Sequence, residues 1–430
     1  MTRVGHPWHH FGRRIALSAA LTLGCASVTE AQSWESDPAH GIPPVPPPAT
    51  TLVPDVPDGV LTAANVKTDN FSVKFGLAIL LDYTAFSQNQ NSILQQGVQP
   101  DQFQVRDFRF MARGHARVLT DWRYQVSLQY RGFAQQPGQP DWQVADLNLT
   151  VNLGKHLGDL TFGKTKQTFT YEMISDAANL PQEERILQPF FKTRDIGLKL
   201  MNTAFGERAT WAIGWYNDWW LEPVSWNESG QQFSGRFTAL PIWNEKSHRY
   251  LHLAVSGRYN GAGNDTLQFK GQPQSNAATF FINSGKLPAD HAWHLGFEAL
   301  WADGPFSVLA EYNQAWIATA QHASTYGWYV TGSWIVTGGG PRPYDRKVGY
   351  ARRVPITHKH GEVEVMARYG QVDFNDQDVQ GGALQQWYFA ANWWATRRWK
   401  VAVGYGTVNL DQDNIEGWTG ILLTRLQWIF

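Results

Sequence analysis

Three arginines, Arg109, Arg113 and Arg117, recur every fourth residue in a stretch whose alternate positions are Phe108, Phe110, Ala112, Ala116 and Val118. In extended chain the period of two sends the arginines to one face and the apolar set to the other. A guanidinium presents a planar fork of donors that matches the oxygens of phosphate. An ion pair at contact contributes about 1 kcal/mol in water and about 4 kcal/mol in the partly screened medium beside a protein wall. Several such sites in series attract an anion without trapping it, as conduction requires. The chemistry these residues offer is therefore guidance of small anions.

The same alternation gathers further cations. Arg123 and Arg131 share a face with Gln125 and Gln129, opposite Tyr124, Val126, Leu128 and Tyr130, and Lys199, Arg236, Arg258, Arg368 and Arg425 fall on comparable polar faces. An arginine turned to lipid at mid-bilayer costs about 2 to 4 kcal/mol, so these faces must be wet. Asp107, Asp146, Asp195, Glu298, Glu311, Glu362 and Glu364 lie on wet faces too. A transverse field of paired charges in a general diffusion channel is the competing reading, and against it stands the row of arginines without evident acidic partners.

Two-faced segments of this kind recur about sixteen times from Phe71 to the terminal Phe430. In the last, Leu422, Leu426, Trp428 and Phe430 share one face, and Arg425, Gln427 and Ile429 the other. A sheet with one apolar and one polar face, closed on itself, suits the boundary between lipid and water, where every unpaired amide costs several kcal/mol. The connections supply a second signal. They alternate between long (84–102, 165–192, 219–231, 260–291, 371–384, with shorter forms at 133–142, 316–325 and 409–417) and brief (119–121, 202–207, 241–248, 302–304, 395–397). External loops and periplasmic turns of outer-membrane barrels alternate in this way. The expected fold is an all-β, transmembrane antiparallel β-barrel of about 16 strands with inward-folded loops. One connection breaks the parity: residues 338–360 should form a short turn, yet span over twenty positions and carry Arg342, Arg346, Lys347, Arg352, Arg353 and Lys359. Either the segment is a solvated basic loop or it tucks into the barrel mouth.

Residues 1–31 read as a secretory signal, with Arg3, Arg13 and Arg14 ahead of an apolar stretch and Thr29-Glu30-Ala31 as cleavage site. Losing its three arginines and Glu30 from 36 basic and 37 acidic residues leaves 33 and 36. The sole cysteine, Cys25, lies inside this signal, so the exported chain needs no disulfide. Residues 32–69, dense in proline, suit an extended periplasmic lead-in, and 70–430 the barrel. Asp373 to Asp378 lacks the glycine of a calcium loop, and His291, His294, His358 and His360 lack companions for zinc. No cofactor or metal is expected. Neither a nucleotide-binding glycine loop nor a nucleophile elbow is visible.

Taken in order, Asp121-Trp122-Arg123-Tyr124, Gly163-Lys164-Thr165-Lys166, Arg194-Asp195-Ile196-Gly197-Leu198, Thr331-Gly332-Ser333-Trp334 with Thr337-Gly338, and Val365-Met366-Ala367-Arg368-Tyr369 resemble the phosphate-selective porin O and P family. The resemblance covers most of residues 71–430. It implies a sixteen-stranded homotrimeric channel whose constriction is an external loop folded inward after Lys164 and Lys166. It also implies arginine rows guiding anions to that loop, and an inward periplasmic turn that would account for residues 338–360. The chain departs from the family in its near-neutral balance and in Glu172, Asp176, Glu183 and Glu184 of that loop.

The expected function is passive diffusion of small anions, phosphate or polyphosphate among them, across the bacterial outer membrane. A general or sugar-accepting porin is the alternative, and an outer-membrane hydrolase the enzyme-class competitor; no enzymatic activity is expected. Pore residues are expected at Lys164, Lys166, Arg109, Arg113, Arg117, Arg123, Arg131, Arg236, Arg258 and Arg368. The expected partners are the anionic solutes, outer-membrane lipid and lipopolysaccharide, two further copies of the chain, and the barrel-assembly machinery through the strand ending in Phe430. Nucleic acid is not expected.

Overall fold

The computed structural model describes residues 65–117, 120–130, 142–217, 219, 229–338 and 340–430. The signal and most of the proline-rich lead-in fall outside them. Sixteen antiparallel strands form the wall: β1 Phe71–Gln88, β2 Gln102–Arg117, β3 Asp121–Tyr130, β4 Trp142–Asn152, β5 Asp159–Lys166, β6 Arg194–Ala204, β7 Ala209–Asn217 and β8 Gln231–Asn244. The second half comprises β9 Arg249–Gly261, β10 His291–Asp303, β11 Phe306–Ile317, β12 Ala323–Ile335, β13 Glu362–Asp376, β14 Val379–Trp394, β15 Trp399–Gln412 and β16 Ile415–Ile429. Each pairs with its neighbours in sequence, and β16 returns to β1 with Leu80 opposite Gln427. Leu77 and Phe430 exchange both backbone hydrogen bonds at 2.9 Å, so the seam has no free edge. No described helix is long and apolar enough to cross a membrane; the strands make the span.

Alternation sorts the two faces as the sequence predicts. Phe110, Leu128, Leu147, Phe162 and Leu198 are exposed on the outside, while Ser127, Asp146, Thr161 and Asp195 in the same strands are buried within. Two connections expected to be long are not. Strands β13 and β14 run on until Asp376 faces Val379, and β15 and β16 until Gln412 faces Ile415, leaving two-residue turns. Gln377, Asp413 and Asn414 take the positive φ such turns need. Above the bilayer both faces of a strand are wet, so polar residues there break the alternation without ending the ladder.

Three long connections fold into the lumen instead. The external loop 167–193 contributes Phe169, Tyr171, Met173, Leu180, Leu187 and Phe190 to one apolar cluster. The external segment 262–290 adds Phe269, Phe281 and Ile282, and the periplasmic connection 336–361 adds Tyr344 and Tyr350. The basic connection is thus inward-folded. Burial of these side chains, about 1.5 to 3 kcal/mol for each large one, holds the loops against the β8–β16 wall.

Candidate pore and constriction

Loop 167–193 is seated by charge as well as by its apolar face. The amides of Tyr171 and Glu172 donate to the Glu311 carboxylate at 2.6 and 3.0 Å. Arg368 pairs with Glu172 at 2.5 Å while its guanidinium lies 3.8 Å from the centre of the Tyr329 ring. Arg425 grips Asp82 through two bonds of 2.7 and 2.6 Å and reaches Glu184 at 3.0 Å. Arg106 holds the same Glu184 at 2.6 and 3.0 Å, and Lys166 holds Asp176 at 2.8 Å. With Glu183, which accepts from the Tyr388 hydroxyl and lies 3.8 Å from Lys400, the four acidic residues that set this loop apart in sequence are its anchors. Burial alone would raise the carboxyls of Asp176 and Glu184; Lys166 outweighs it at Asp176, and Arg106 with Arg425 at Glu184, so both are held at about 2.

The periplasmic connection is fastened by the same means. Arg342 takes both oxygens of Glu364 at 2.8 and 2.6 Å, and its guanidinium also donates to the carbonyl of Asn179 in the external loop. Arg236 takes both oxygens of Glu298 at 2.8 and 2.6 Å and donates to the carbonyls of Val348 and Gly349. His252 bridges Tyr344 at 2.6 Å and Glu298 at 3.2 Å.

These contacts divide the lumen into two sides. Side chains of Arg236, Glu298, Arg368, Glu172, Arg425 and Asp82 are 0–3 % exposed, sealed between loops and the β8–β16 wall. Those of Arg106, Arg109, Asp107, Arg123, Asp159, Lys166, Asp176, Glu184 and Arg194 keep 12–20 %. The accessible path therefore runs along β2–β6, facing residues 175–186 of the folded loop. Eight basic side chains meet four partly exposed acidic ones there, Arg106, Arg109, Arg113, Arg123, Lys166, Arg185, Arg194 and Lys199 against Asp107, Asp159, Asp176 and Glu184, with Asp146 and Asp195 buried behind them. Two of the cations are held by neutral oxygens. Arg185 donates to the carbonyls of Glu172 and Ser175, and Lys199 to Thr165 Oγ1 and the Lys166 carbonyl.

The sequence-derived residues separate accordingly. Arg109, Arg113, Arg123 and Lys166 border the accessible side, and Arg117 lies exposed at its periplasmic end. The row is not unmatched: Arg109 pairs with Asp107 at 2.8 Å and Arg123 with Asp159 at 2.6 Å. Arg236 and Arg368 are buried anchors, and Arg258 is buried with bonds to the Phe190 carbonyl and Gln232. Lys164 has outward-row register partners, Leu147 and Ile196, yet it is buried, with Asp195, Arg194 and Asp146 as its charged neighbours. Arg131 lies outside the described residues.

Arg106 went unread in the sequence because a bulge between Val105 and Asp107 adds a residue to β2 and turns its side chain inward. The signal was present in the apolar spacing, which slips from two to three between Val105 and Phe108. Arg185 sits in a loop, where no period assigns a face.

The family model described as phosphate-selective porin O and P matches residues 73–430. The chain belongs to that family. Porin O of Pseudomonas aeruginosa is 22 % identical over 406 residues, covering 84 % of this chain and 89 % of that protein. Among solved structures, the trimer form of OmpT from Vibrio cholerae matches with a TM-score of 0.54 at 12 % identity, covering 84 % of this chain and all of that one. The anion-selective porin from Comamonas acidovorans matches with the same TM-score at 10 % identity and the same coverage. OprB of Pseudomonas putida reaches 0.53 at 9 %, over 84 % of this chain and 94 % of that one. The porin chain described here is accordingly an outer-membrane β-barrel protein.

Proposed function

We propose that this porin passes small anions by diffusion along the β2–β6 side of its lumen, with the folded loop 167–193 forming the opposite bank. The observation that carries the reading is the pair of cations, Arg185 and Lys199, held on that bank and wall by neutral oxygens, with carboxylates near them but none in direct contact among the described residues. Arg109, Arg113, Arg123 and Lys166 extend the path, and Arg117 marks its periplasmic exit. The family description and the names of Porin O's family and of the Comamonas porin support an anion, and phosphate as one candidate. The trimer form of the Vibrio OmpT supports assembly of three copies.

Reversal potentials across planar bilayers test this. With Arg185→Gln and Lys199→Gln combined, chloride-over-potassium preference should fall about two- to fivefold, the scale of one ion-pair contact in a water-filled pore. A wild-type channel that prefers potassium would refute the anion reading. Phosphate blocking chloride current at low concentration would support phosphate as the solute. Because most wall cations here are paired with carboxylates, a second reading, a general porin with a transverse field, has its own support, and near-equal permeabilities in the wild type would select it.

A further inference from the structure

The outer wall carries one large groove that the pore does not use. It holds about 930 Å³ and crosses β10–β15. Gly332, Ala367 and Ala391 form its floor, between the larger Trp334, Phe389 and Trp301. Outward from Gly332 there is nothing within 4 Å of where a Cβ would sit. Three small residues on adjoining strands of a lipid-facing wall thus make an apolar trough, and its lining is nearly free of polar groups.

At the periplasmic end the trough meets a cluster of cations. Val365 faces Ala391 in the groove, and two pairs further along, on the same face, Val363 faces Trp393, whose Nε1 donates to the His360 carbonyl at 2.8 Å. The turn carrying His358, Lys359 and His360 lies beside the β14–β15 turn, because Arg353 donates to the Arg397 carbonyl and stands over the Trp394 ring. Lys359, His360 and Arg397 are exposed, and their side chains make no hydrogen bond or ion pair among the described residues; nor does that of Arg398. The neighbouring Glu362 is buried and engaged by Thr337, Thr357 and His358. The rim therefore presents uncompensated positive charge where headgroups of the periplasmic leaflet lie, next to the interfacial ring of Trp393.

We propose that this groove and rim bind one anionic phospholipid of the periplasmic leaflet, acyl chains in the trough over Gly332, Ala367 and Ala391, phosphate against Lys359, Arg397 and Arg398. Apolar volume and cationic mouth are separate features, and their adjacency matches the two ends of such a lipid. A zwitterionic lipid would fill the trough equally well and gain nothing from the rim.

The full chain, reconstituted in mixed phosphatidylglycerol and phosphatidylethanolamine and then delipidated stepwise, reports retained lipid by native mass spectrometry. Phosphatidylglycerol should be retained about thirtyfold over phosphatidylethanolamine, the scale of two basic side chains near an anionic headgroup. Lys359→Gln with Arg397→Gln and Arg398→Gln should abolish that preference and leave conductance intact. Ala367→Phe, which fills the trough, should release both lipids. Equal retention of the two lipids by the wild type would overturn the proposal. So would a preference that survives the triple substitution, stronger retention of added lipopolysaccharide, which occupies the other leaflet, or crosslinks from residue 391 to a second copy. If Ala367→Phe fails to insert, the charge variant decides alone.

Discussion

Arg425 serves two carboxylates and a carbonyl from one guanidinium: it is 1 % exposed, doubly bonded to Asp82, and within 3.0 Å of Glu184, with Glu183 lending its backbone carbonyl. Glu184 would keep Arg106, but Asp82, 2 % exposed, cannot stay both charged and buried if that partner is lost. Arg425→Gln should destabilise the folded barrel by about 3 to 5 kcal/mol, read as a lower temperature for the electrophoretic shift between folded and unfolded forms. Arg117→Gln, at the exposed rim, should leave that temperature unchanged. The contrast explains why residue roles were only half legible. A period of two tells which side of the wall an arginine faces, and it did so for Arg109, Arg123, Arg236, Arg368 and Arg425. It says nothing about which loop carboxylate comes to meet it, because Glu172, Asp176 and Glu184 reach the wall through loop geometry that no period encodes.

At the scale of elements, the external loop and the periplasmic connection are buttressed by ion pairs rather than by ladder hydrogen bonds, which makes their seating a function of pH. Asp176 and Glu184 have folded-state carboxyls at about 2, below their ordinary range near 4. A depressed carboxyl stabilises the folded state fully above its unfolded value and loses that contribution as pH falls through the folded one. Single-channel conductance should therefore be steady from about pH 7 to about pH 4.5 and, on the acid side, change with added current noise only between about pH 4 and about pH 2. A transition centred near pH 6 would show that another group seats the loop. Element existence was readable because each of the sixteen segments repeats its polarity over several pleats. The ends were less so: at 371–384 and 409–417 the ladder continues into water, where the outside face no longer needs to be apolar.

For the whole molecule the deciding fact is that charge is nearly balanced and yet unevenly placed. The sequence holds 36 basic and 37 acidic residues, so no net field distinguishes anions from cations at a distance. The preference must arise locally, where Arg185 and Lys199 face water across a path whose other cations are mostly paired. A local field of one or two charges reaches only about one Debye length, ~10 Å at 0.1 M salt and ~3 Å at 1 M. A strongly basic lumen would keep its selectivity at high salt, since overlapping fields leave no unscreened centre for a cation. This lumen should not. The chloride-over-potassium permeability ratio should approach unity as potassium chloride rises from about 0.03 M to about 1 M, measured by reversal potential at fixed gradient. A ratio that holds constant over that range would mean that direct ligation of the anion, and not attraction through water, governs passage.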